Sequence, residues 1–239
     1  MAELYEQSLF RWWDCGGSGE AVMLVPERGV SGRSLDSVAD ALVGSFRVLE
    51  FDSWSSFPDL NALTRDIKRM GLPAVKLVSF GNGASLALRL AAEHPDLVER
   101  LVLMDPGPLT TKTPIVAETN ESYEAYRDRM MKRPYFSPWT LYHETLARAS
   151  YDVRDTNPVE SDASDRVDYA HIECPTLILR ALQPILPGHD LTASNAEVAA
   201  MTLGILGSRL IELKRHHHWS ILLNQTPDVA NLVRDFLNF

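Results

Sequence analysis

Short apolar runs alternate with amphipathic stretches along most of the chain. The runs are rich in β-branched residues, as expected of strands that are buried on both faces of a parallel sheet, and the stretches between them repeat apolar residues at helical spacing. The pattern predicts central strands at 21–25, 47–51, 75–79, 98–104, 176–180 and 209–213, and an edge strand within 4–15. It predicts helices at 34–42, 60–70, 195–206 and 227–237, and a further helix that Pro95 ends. Repeated units of this kind predict an α/β protein with a doubly wound, mostly parallel sheet.

Two helix boundaries are predicted from single residues. Ser34 is the expected N-cap of the first helix, because a serine hydroxyl accepts from the N–H groups that a helix start leaves unpaired. Gly71 is the expected end of the second helix, because glycine readily adopts the left-handed backbone that closes a helix.

Residues 75–95 predict a buried strand, a sharp turn and an amphipathic helix. They read VKLVSFGNGASLALRLAAEHP. The small residues Ser79 and Gly83 flank a central Gly81, which is the spacing of a strained turn that presents a nucleophile between a strand and a helix. Gly81 has no side-chain atom that could attack a substrate. Ser79 and Ser85 are the rival hydroxyls, although Ser79 falls where a strand needs a small packing residue and Ser85 falls in the helix.

Residues 108–169 interrupt the alternation of strands and helices. They are charged and rich in aromatic residues at roughly helical spacing, which predicts a helical cap over the carboxyl edge of the sheet, where α/β proteins bind their ligands. The aromatic residues could simply attach the cap to the core. Together, with Trp139 as the candidate contact, they favour a small hydrophobic or aromatic substrate.

Length and charge limit the classes of function. A chain of 239 residues, 45% of them hydrophobic, is long enough for one large core. We therefore expect a single domain over 1–239, with the cap inserted in it. A net charge of -9 without a cluster of Lys and Arg disfavours nucleic acids and anionic membranes as partners.

Several common motifs are missing from the sequence. Cys15 and Cys174 are isolated, so neither a zinc site nor a disulfide framework is expected, and a reducing cytoplasm is the expected compartment. The N-terminal MAELYEQSLFRW has no apolar run long enough for export, and no later stretch approaches the roughly eighteen apolar residues of a membrane span. The G-x-G at the turn lacks the third glycine and the downstream acid of a dinucleotide site, so no cofactor is expected.

The segments AVMLV, VSFGNGASLALRLAAEHPDLVERLVLMDP, CPTLILR and HWSILLNQTPDVANLVRDFL together resemble the α/β hydrolase superfamily over nearly the whole chain. The resemblance implies a sheet of the α/β-hydrolase type and a triad of nucleophile, acid and histidine, in that order along the chain. It assigns His218 as the histidine and Gly81 to the nucleophile position. The adjacent His216 and His217 raise metal binding as an alternative, but neighbouring side chains point in different directions and rarely converge on one ion.

Several positions of the sequence compete for the remaining roles in the site. Asp190 is slightly favoured as the acid, and Asp105 is the alternative, although an Asp before Pro also organises turns. The oxyanion hole would use the backbone N–H groups of Asn82 and Arg28. Phe80 and Trp219, the neighbours of Gly81 and His218, complete the predicted substrate contacts.

Glu27 departs from the family pattern in a way that affects the chemistry. Its carboxylate falls in the oxyanion loop, where a negative charge opposes ester hydrolysis. A glutamate in such a loop more often turns to solvent. If Glu27 faces inward instead, it becomes a general acid or base paired with His218.

Three hypotheses follow for the function. The first is an enzyme without a covalent serine intermediate, in which His218 acts as general base on a small hydrophobic substrate, as a lyase, isomerase, cyclase or water-activating hydrolase. The second is a conventional serine esterase or thioesterase, with a rival serine or an engineered glycine at position 81. The third is a non-catalytic protein that binds a small molecule. The sequence makes no prediction of the oligomeric state.

Overall fold

The computed structural model describes residues 3–4, 10–27, 30, 32–52, 58–107, 122, 124–125, 128, 167–183, 193–222 and 227–239. The strands of this part are β1 (Glu3–Leu4), β2 (Trp12–Gly16), β3 (Ala21–Val25), β4 (Arg47–Phe51), β5 (Val75–Phe80), β6 (Val98–Met104), β7 (Thr176–Gln183) and β8 (Arg209–His217). Its α-helices are α1 (Asp36–Leu42), α2 (Leu60–Arg69), α3 (Gly83–Glu93), α4 (Asn195–Gly204) and α5 (Pro227–Leu237).

The strands form one mixed sheet in the order β1-β2-β4-β3-β5-β6-β7-β8. Every pair from β4–β3 to β7–β8 is parallel, and β2 pairs antiparallel with both β1 and β4. The predicted fold class, a doubly wound and mostly parallel sheet, is confirmed. Parallel strands end at the same edge of a sheet, so the residues that follow β3, β5 and β6 lie near one another.

Helices cover both faces of this sheet. One apolar cluster joins α2, α3 and α4 to the sheet, and a second joins α1 and α5 to the opposite face. Central strand residues such as Val22, Val78 and Val102 are 0% exposed, as expected for strands between two helical layers. No helix in the described ranges is long and apolar enough to cross a membrane. The sheet therefore provides a rigid base for the loops at its carboxyl edge.

Several predicted boundaries differ from the structure. Gly71 does close α2 with a φ of +75°, but the prediction that Ser34 caps α1 is wrong. Ser34 lies inside a 3-10 turn (Gly32–Leu35) that precedes the helix, and its buried hydroxyl has no hydrogen-bond partner in the described part of the chain. The strand β8 runs to His217 rather than to residue 213, so the next residue, His218, directly follows a strand.

A further buried carboxyl group lies near the carboxyl end of β4. Glu50 is 0% exposed, and neither of its side-chain oxygens has a hydrogen-bond partner within the described ranges. Burial is the main cause that raises the pKa of Glu50 to about 8, with the charge of Asp36 adding to the rise and that of Arg33 opposing it. Burial also raises the pKa values of Asp36 and of the Cys15 thiol. Glu50 is therefore a neutral acid in much of the neutral range.

The cap predicted at 108–169 lies almost entirely outside the described residues. Its helical character, its contact residue Trp139 and its boundaries remain predictions, as does the single-domain division of 1–239.

Candidate active site

The carboxyl edge of the sheet brings Asp105 and His218 together. Asp105 directly follows β6, with a φ of +45° that side-chain-bearing residues rarely adopt. Its Oδ2 lies 2.7 Å from Nδ1 of His218, and its Oδ1 accepts a 2.7 Å hydrogen bond from the backbone N–H of Ala181 on β7. Both carboxylate oxygens are thus held in place, which explains how so strained a backbone persists.

Among the described residues, Asp105, which the sequence analysis gave as the alternative to Asp190, is the carboxylate bonded to Nδ1 of His218. The pairing of β6 with β7 places the N–H of Ala181 beside Asp105 and turns the carboxylate toward the histidine. Because Asp105 occupies Nδ1, this nitrogen needs no second carboxylate. Asp190 lies outside the described residues.

His218 occupies the position that the resemblance assigned to it. It opens a 3-10 turn (His218–Leu222) immediately after β8 and is 1% exposed. Phe80, the last residue of β5, stacks on its imidazole with ring centroids 4.4 Å apart, and Trp219 meets it edge-on at 4.8 Å. These aromatic contacts fix the plane of the ring, so Nε2 has a defined direction.

Glu27 faces inward rather than toward solvent. It follows β3, its side chain is 13% exposed, and its Oε2 lies 3.6 Å from Nε2 of His218. This distance is too long for a hydrogen bond, and the buried Nε2 has no partner among the described residues. The imidazole therefore sits between two carboxylates, bonded to Asp105 and close to Glu27.

This arrangement changes the protonation of His218. Burial disfavours the charged ring, but the hydrogen bond to Asp105 and the nearby Glu27 carboxylate outweigh burial and raise the pKa of His218 to about 9. In the free protein at neutral pH, His218 is therefore an imidazolium, with a proton on each ring nitrogen.

Gly81 forms the turn between β5 and α3. Its φ is +56°, and its N–H donates to the carbonyl of Met104 at 3.1 Å. An added Cβ at this position would lie 2.8 Å from Oε1 of Glu27 and 3.2 Å from Cε1 of His218. The carboxylate of Glu27 thus fills the space that a side chain at position 81 would need.

The turn is packed tightly on either side of Gly81. A Cβ at Gly83 would collide with the main-chain oxygens of Val25 and Pro26, so only glycine allows α3 to start this close to the end of β3. A Cβ at Gly107 would lie 2.7 Å from the backbone nitrogen of Asn82. The sequence analysis did not single out Gly107, although its place in Asp-Pro-Gly directly after a strand was the available signal.

The two rival serines direct their hydroxyls to main-chain oxygens. Ser79 is 0% exposed on β5 and donates to the carbonyl of Val102 at 3.4 Å. Ser85 lies in the first turn of α3 and donates to the carbonyl of Asn82 at 2.9 Å. Both hydroxyls thus donate to the main chain and not to His218.

Other predicted contacts are only partly described. Asn82 is the N-cap residue of α3 and half-buried, whereas Arg28, the other predicted oxyanion residue, lies outside the described residues. The two adjacent histidines, His216 and His217, both form hydrogen bonds with Ser220. Within the described ranges, no group of three His, Cys, Asp or Glu side chains is arranged to hold a metal ion.

In sequence, the chain is similar to a hydrolase. It is 28% identical over 215 residues to the 2-hydroxy-6-oxononadienedioate/2-hydroxy-6-oxononatrienedioate hydrolase of a Pseudomonas species, and the match covers 74% of this chain and 73% of that protein. No protein-family model matches the chain.

Solved structures show the same fold. An enol-lactonase from Burkholderia xenovorans LB400 superposes on 100% of this chain and 97% of its own, with a TM-score of 0.71 and 22% identity. The 2-hydroxy-6-oxo-6-phenylhexa-2,4-dienoate hydrolase from Rhodococcus sp. strain RHA1 covers 100% of both chains, with a TM-score of 0.74 and 15% identity. A carboxylesterase from Bacillus subtilis superposes on 99% of this chain and 92% of its own, with a TM-score of 0.71 and 17% identity. The chain has the α/β-hydrolase fold.

Proposed function

We propose that this chain is an α/β-hydrolase-fold enzyme that transforms a small hydrophobic or aromatic substrate by proton transfer, without a covalent serine intermediate. The observation that carries the proposal is the place of the Glu27 carboxylate. It lies 3.6 Å from Nε2 of His218 and fills the space beside Gly81. In an enzyme with a serine nucleophile, the hydroxyl occupies this space and is bonded to the histidine.

The charge state of His218 decides which member of the Glu27–His218 pair donates a proton and which accepts one. Because the pKa of His218 is raised to about 9, the ring enters the cycle as an imidazolium, which donates a proton, and Glu27 is the group that accepts one. The general-base role that the sequence predicts for His218 then belongs to the second half of the cycle, after the ring has given up its proton. Asp105 holds the ring in the required tautomer and orientation.

The same pair opposes the usual acyl-transfer mechanism. A tetrahedral intermediate carries a full negative charge that an oxyanion hole must stabilise with N–H donors. Here the Glu27 carboxylate lies at the edge of that region, and two like charges a few ångströms apart repel strongly in a dry site. Lyase, isomerase and cyclase reactions, or attack by a water that Glu27 deprotonates, suit the site better.

The comparisons support the size and chemistry of the substrate. The similar proteins are named for 2-hydroxy-6-oxo-dienoate compounds, an enol-lactone and carboxylic esters. All of these are small molecules with a carbonyl group. We infer that this chain also takes a small carbonyl compound.

Turnover of a panel of activated esters and thioesters tests the proposal. We expect activity in the parent, loss in His218→Ala and Glu27→Gln, and full activity in Glu99→Gln, which removes an exposed carboxylate from β6. A fluorophosphonate probe should label no serine. Labelling of Ser79 or Ser85 would establish a conventional serine hydrolase instead.

An NMR titration tests the site without any substrate. The His218 imidazole of the parent should titrate near the value of about 9, and Glu27→Gln should lower it, because the variant removes one of the two neighbouring charges. A His218 that titrates as an ordinary histidine would overturn the assignment of acid and base. Thermal stabilisation by the panel compounds without turnover would favour the non-catalytic hypothesis.

A further inference from the structure

We propose that the substrate of this site is a compound that presents a neutral carbonyl oxygen to His218 and has a proton on the carbon next to that carbonyl group, and that the site interconverts its keto and enol forms. The inference rests on the proposed function and specifies what the Glu27–His218 pair acts on.

The first argument is the unpartnered Nε2 of His218. This nitrogen is buried and has no hydrogen-bond partner among the described residues, although its ring is fixed by Asp105 and Phe80. A buried donor whose nearest acceptor, Oε2 of Glu27, lies beyond hydrogen-bond distance at 3.6 Å is poorly satisfied. An oxygen atom of the substrate satisfies this donor when it accepts from Nε2, so the site favours ligands that present an acceptor there.

The second argument is the charge around that acceptor position. One imidazolium already faces two carboxylates, Asp105 and Glu27, at 2.7 and 3.6 Å. An anionic oxygen would add a third negative charge in a buried region, where repulsion is weakly screened. The acceptor is therefore a neutral oxygen, such as a ketone, aldehyde or lactone carbonyl.

The third argument is the spacing of the two groups. Proton transfer needs donor and acceptor atoms within about 2.6–3.2 Å of the reacting atoms. Since Oε2 of Glu27 and Nε2 of His218 are 3.6 Å apart, the atom that gives a proton to Glu27 must be close to the oxygen that receives one from His218. A carbon directly next to a carbonyl group meets this requirement.

The proposed step balances without a further reactant. Glu27 takes the proton from the α-carbon, and the electrons of the broken C–H bond form a C=C bond. The carbonyl π electrons move to oxygen, which receives the proton of Nε2. The products are the enol, a protonated Glu27 and a neutral His218, and transfer of the proton from Glu27 to Nε2 restores the starting state. Because the oxygen is protonated as the C–H bond breaks, no full negative charge develops beside Glu27.

The test is hydrogen exchange at the α-carbon of two neutral aromatic ketones, phenylacetone and 2-tetralone. The purified parent protein is incubated with each ketone in D2O, and the loss of the α-proton signal is followed by 1H NMR. We expect exchange at least about tenfold faster than in buffer alone, a step worth about 1.4 kcal/mol in the barrier. Glu27→Gln should return the rate to that of buffer, and Glu99→Gln should exchange like the parent.

The pH profile and a second variant separate catalysis from structural damage. Exchange due to the parent should decline as the pH rises through about 9, where His218 loses its proton. Glu27→Asp keeps the charge but withdraws it by one methylene, so it should slow exchange while the imidazole still titrates above its ordinary value. A merely structural role for Glu27 would leave the pH profile unchanged and would overturn the inference.

Failure of this inference is distinguishable from failure of the proposed function. Exchange no faster than in buffer for both ketones refutes the keto–enol assignment, whether or not the ketones bind. The proposed function stands in that case if turnover of the ester panel depends on Glu27 and His218. It falls if turnover is independent of Glu27, or if a serine is labelled.

Discussion

Replacement of Glu50 by glutamine should change how the stability of the protein depends on pH. Glu50 is fully buried on β4 without a hydrogen-bond partner for either oxygen in the described ranges. Burial, with the charge of Asp36, raises its pKa from 4.5 to about 8 in the folded chain. The unfolded chain exposes the same carboxyl to water, where it ionises at its ordinary pKa.

The size and sign of the effect follow from proton linkage. Between pH 4.5 and about 8 the folded chain holds one more proton at Glu50 than the unfolded chain. The stabilisation due to the neutral acid is complete below the lower value and is lost as the pH rises, by about 1.4 kcal/mol per pH unit. Over the whole interval the loss is on the order of 5 kcal/mol. Glu50→Gln has no proton to lose, so this contribution disappears.

Urea unfolding followed by tryptophan fluorescence measures the difference. Stability of the parent and of Glu50→Gln is compared at several values between about pH 5 and pH 8. As the pH rises, the free energy of unfolding of Glu50→Gln should increase relative to that of the parent. Glu99→Gln, which removes an exposed carboxyl group, should show the same pH dependence as the parent. Parallel profiles for the parent and Glu50→Gln would show that Glu50 does not bind the proton in question.

Three further substitutions probe the candidate active site and the ion pair of a buried lysine at the opposite end of β5. Gly81→Ser should lower the free energy of unfolding, measured with urea, by about 1–3 kcal/mol. The φ at this position is +56°, and the Cβ of the serine would lie 2.8 Å from Oε1 of Glu27. Combined with Glu27→Ala, the serine should recover stability and become labelled by a fluorophosphonate; equal stability of the single and double variants would contradict the steric argument. Asp105→Asn should lower the pKa of His218 from about 9 in an NMR titration, and an unchanged value would contradict the pairing. Lys76→Met should cost about 1–3 kcal/mol in urea unfolding, because the buried ammonium pairs with a carboxylate and donates to a main-chain carbonyl at the end of α5; a variant as stable as the parent would show that these bonds contribute nothing net.

Much of the fold could be predicted because its determinants are local. Apolar runs and helical spacing placed every central strand, and Gly71 marked the end of α2 correctly. The prediction for Ser34 failed because a 3-10 turn precedes α1, and nothing in the local pattern distinguishes that turn from the first turn of the helix. The end of β8 was missed because its last four residues, KRHH, are polar or charged and do not follow the pattern of a buried strand.

The sequence named the residues of the candidate site as candidates, but it did not show which of them contact one another. His218 was assigned from its place after a strand and before the last helix. The choice of Asp105 depends on an N–H from β7, which is distant in sequence. The direction of Glu27 depends on the space left by Gly81, which only the assembled turn reveals. Such pairings are set by tertiary geometry, so a single sequence shows the candidates without showing which of them meet.

The close approach of Glu27 to position 81 makes these two positions depend on each other. A serine at position 81 would meet the Glu27 carboxylate and destabilise the protein. A smaller residue at position 27 would abolish the acid–base pair but open room for the serine. A side chain at position 81 and a glutamate at position 27 therefore compete for the same space, so the residue found at one of the two positions limits what the other can hold.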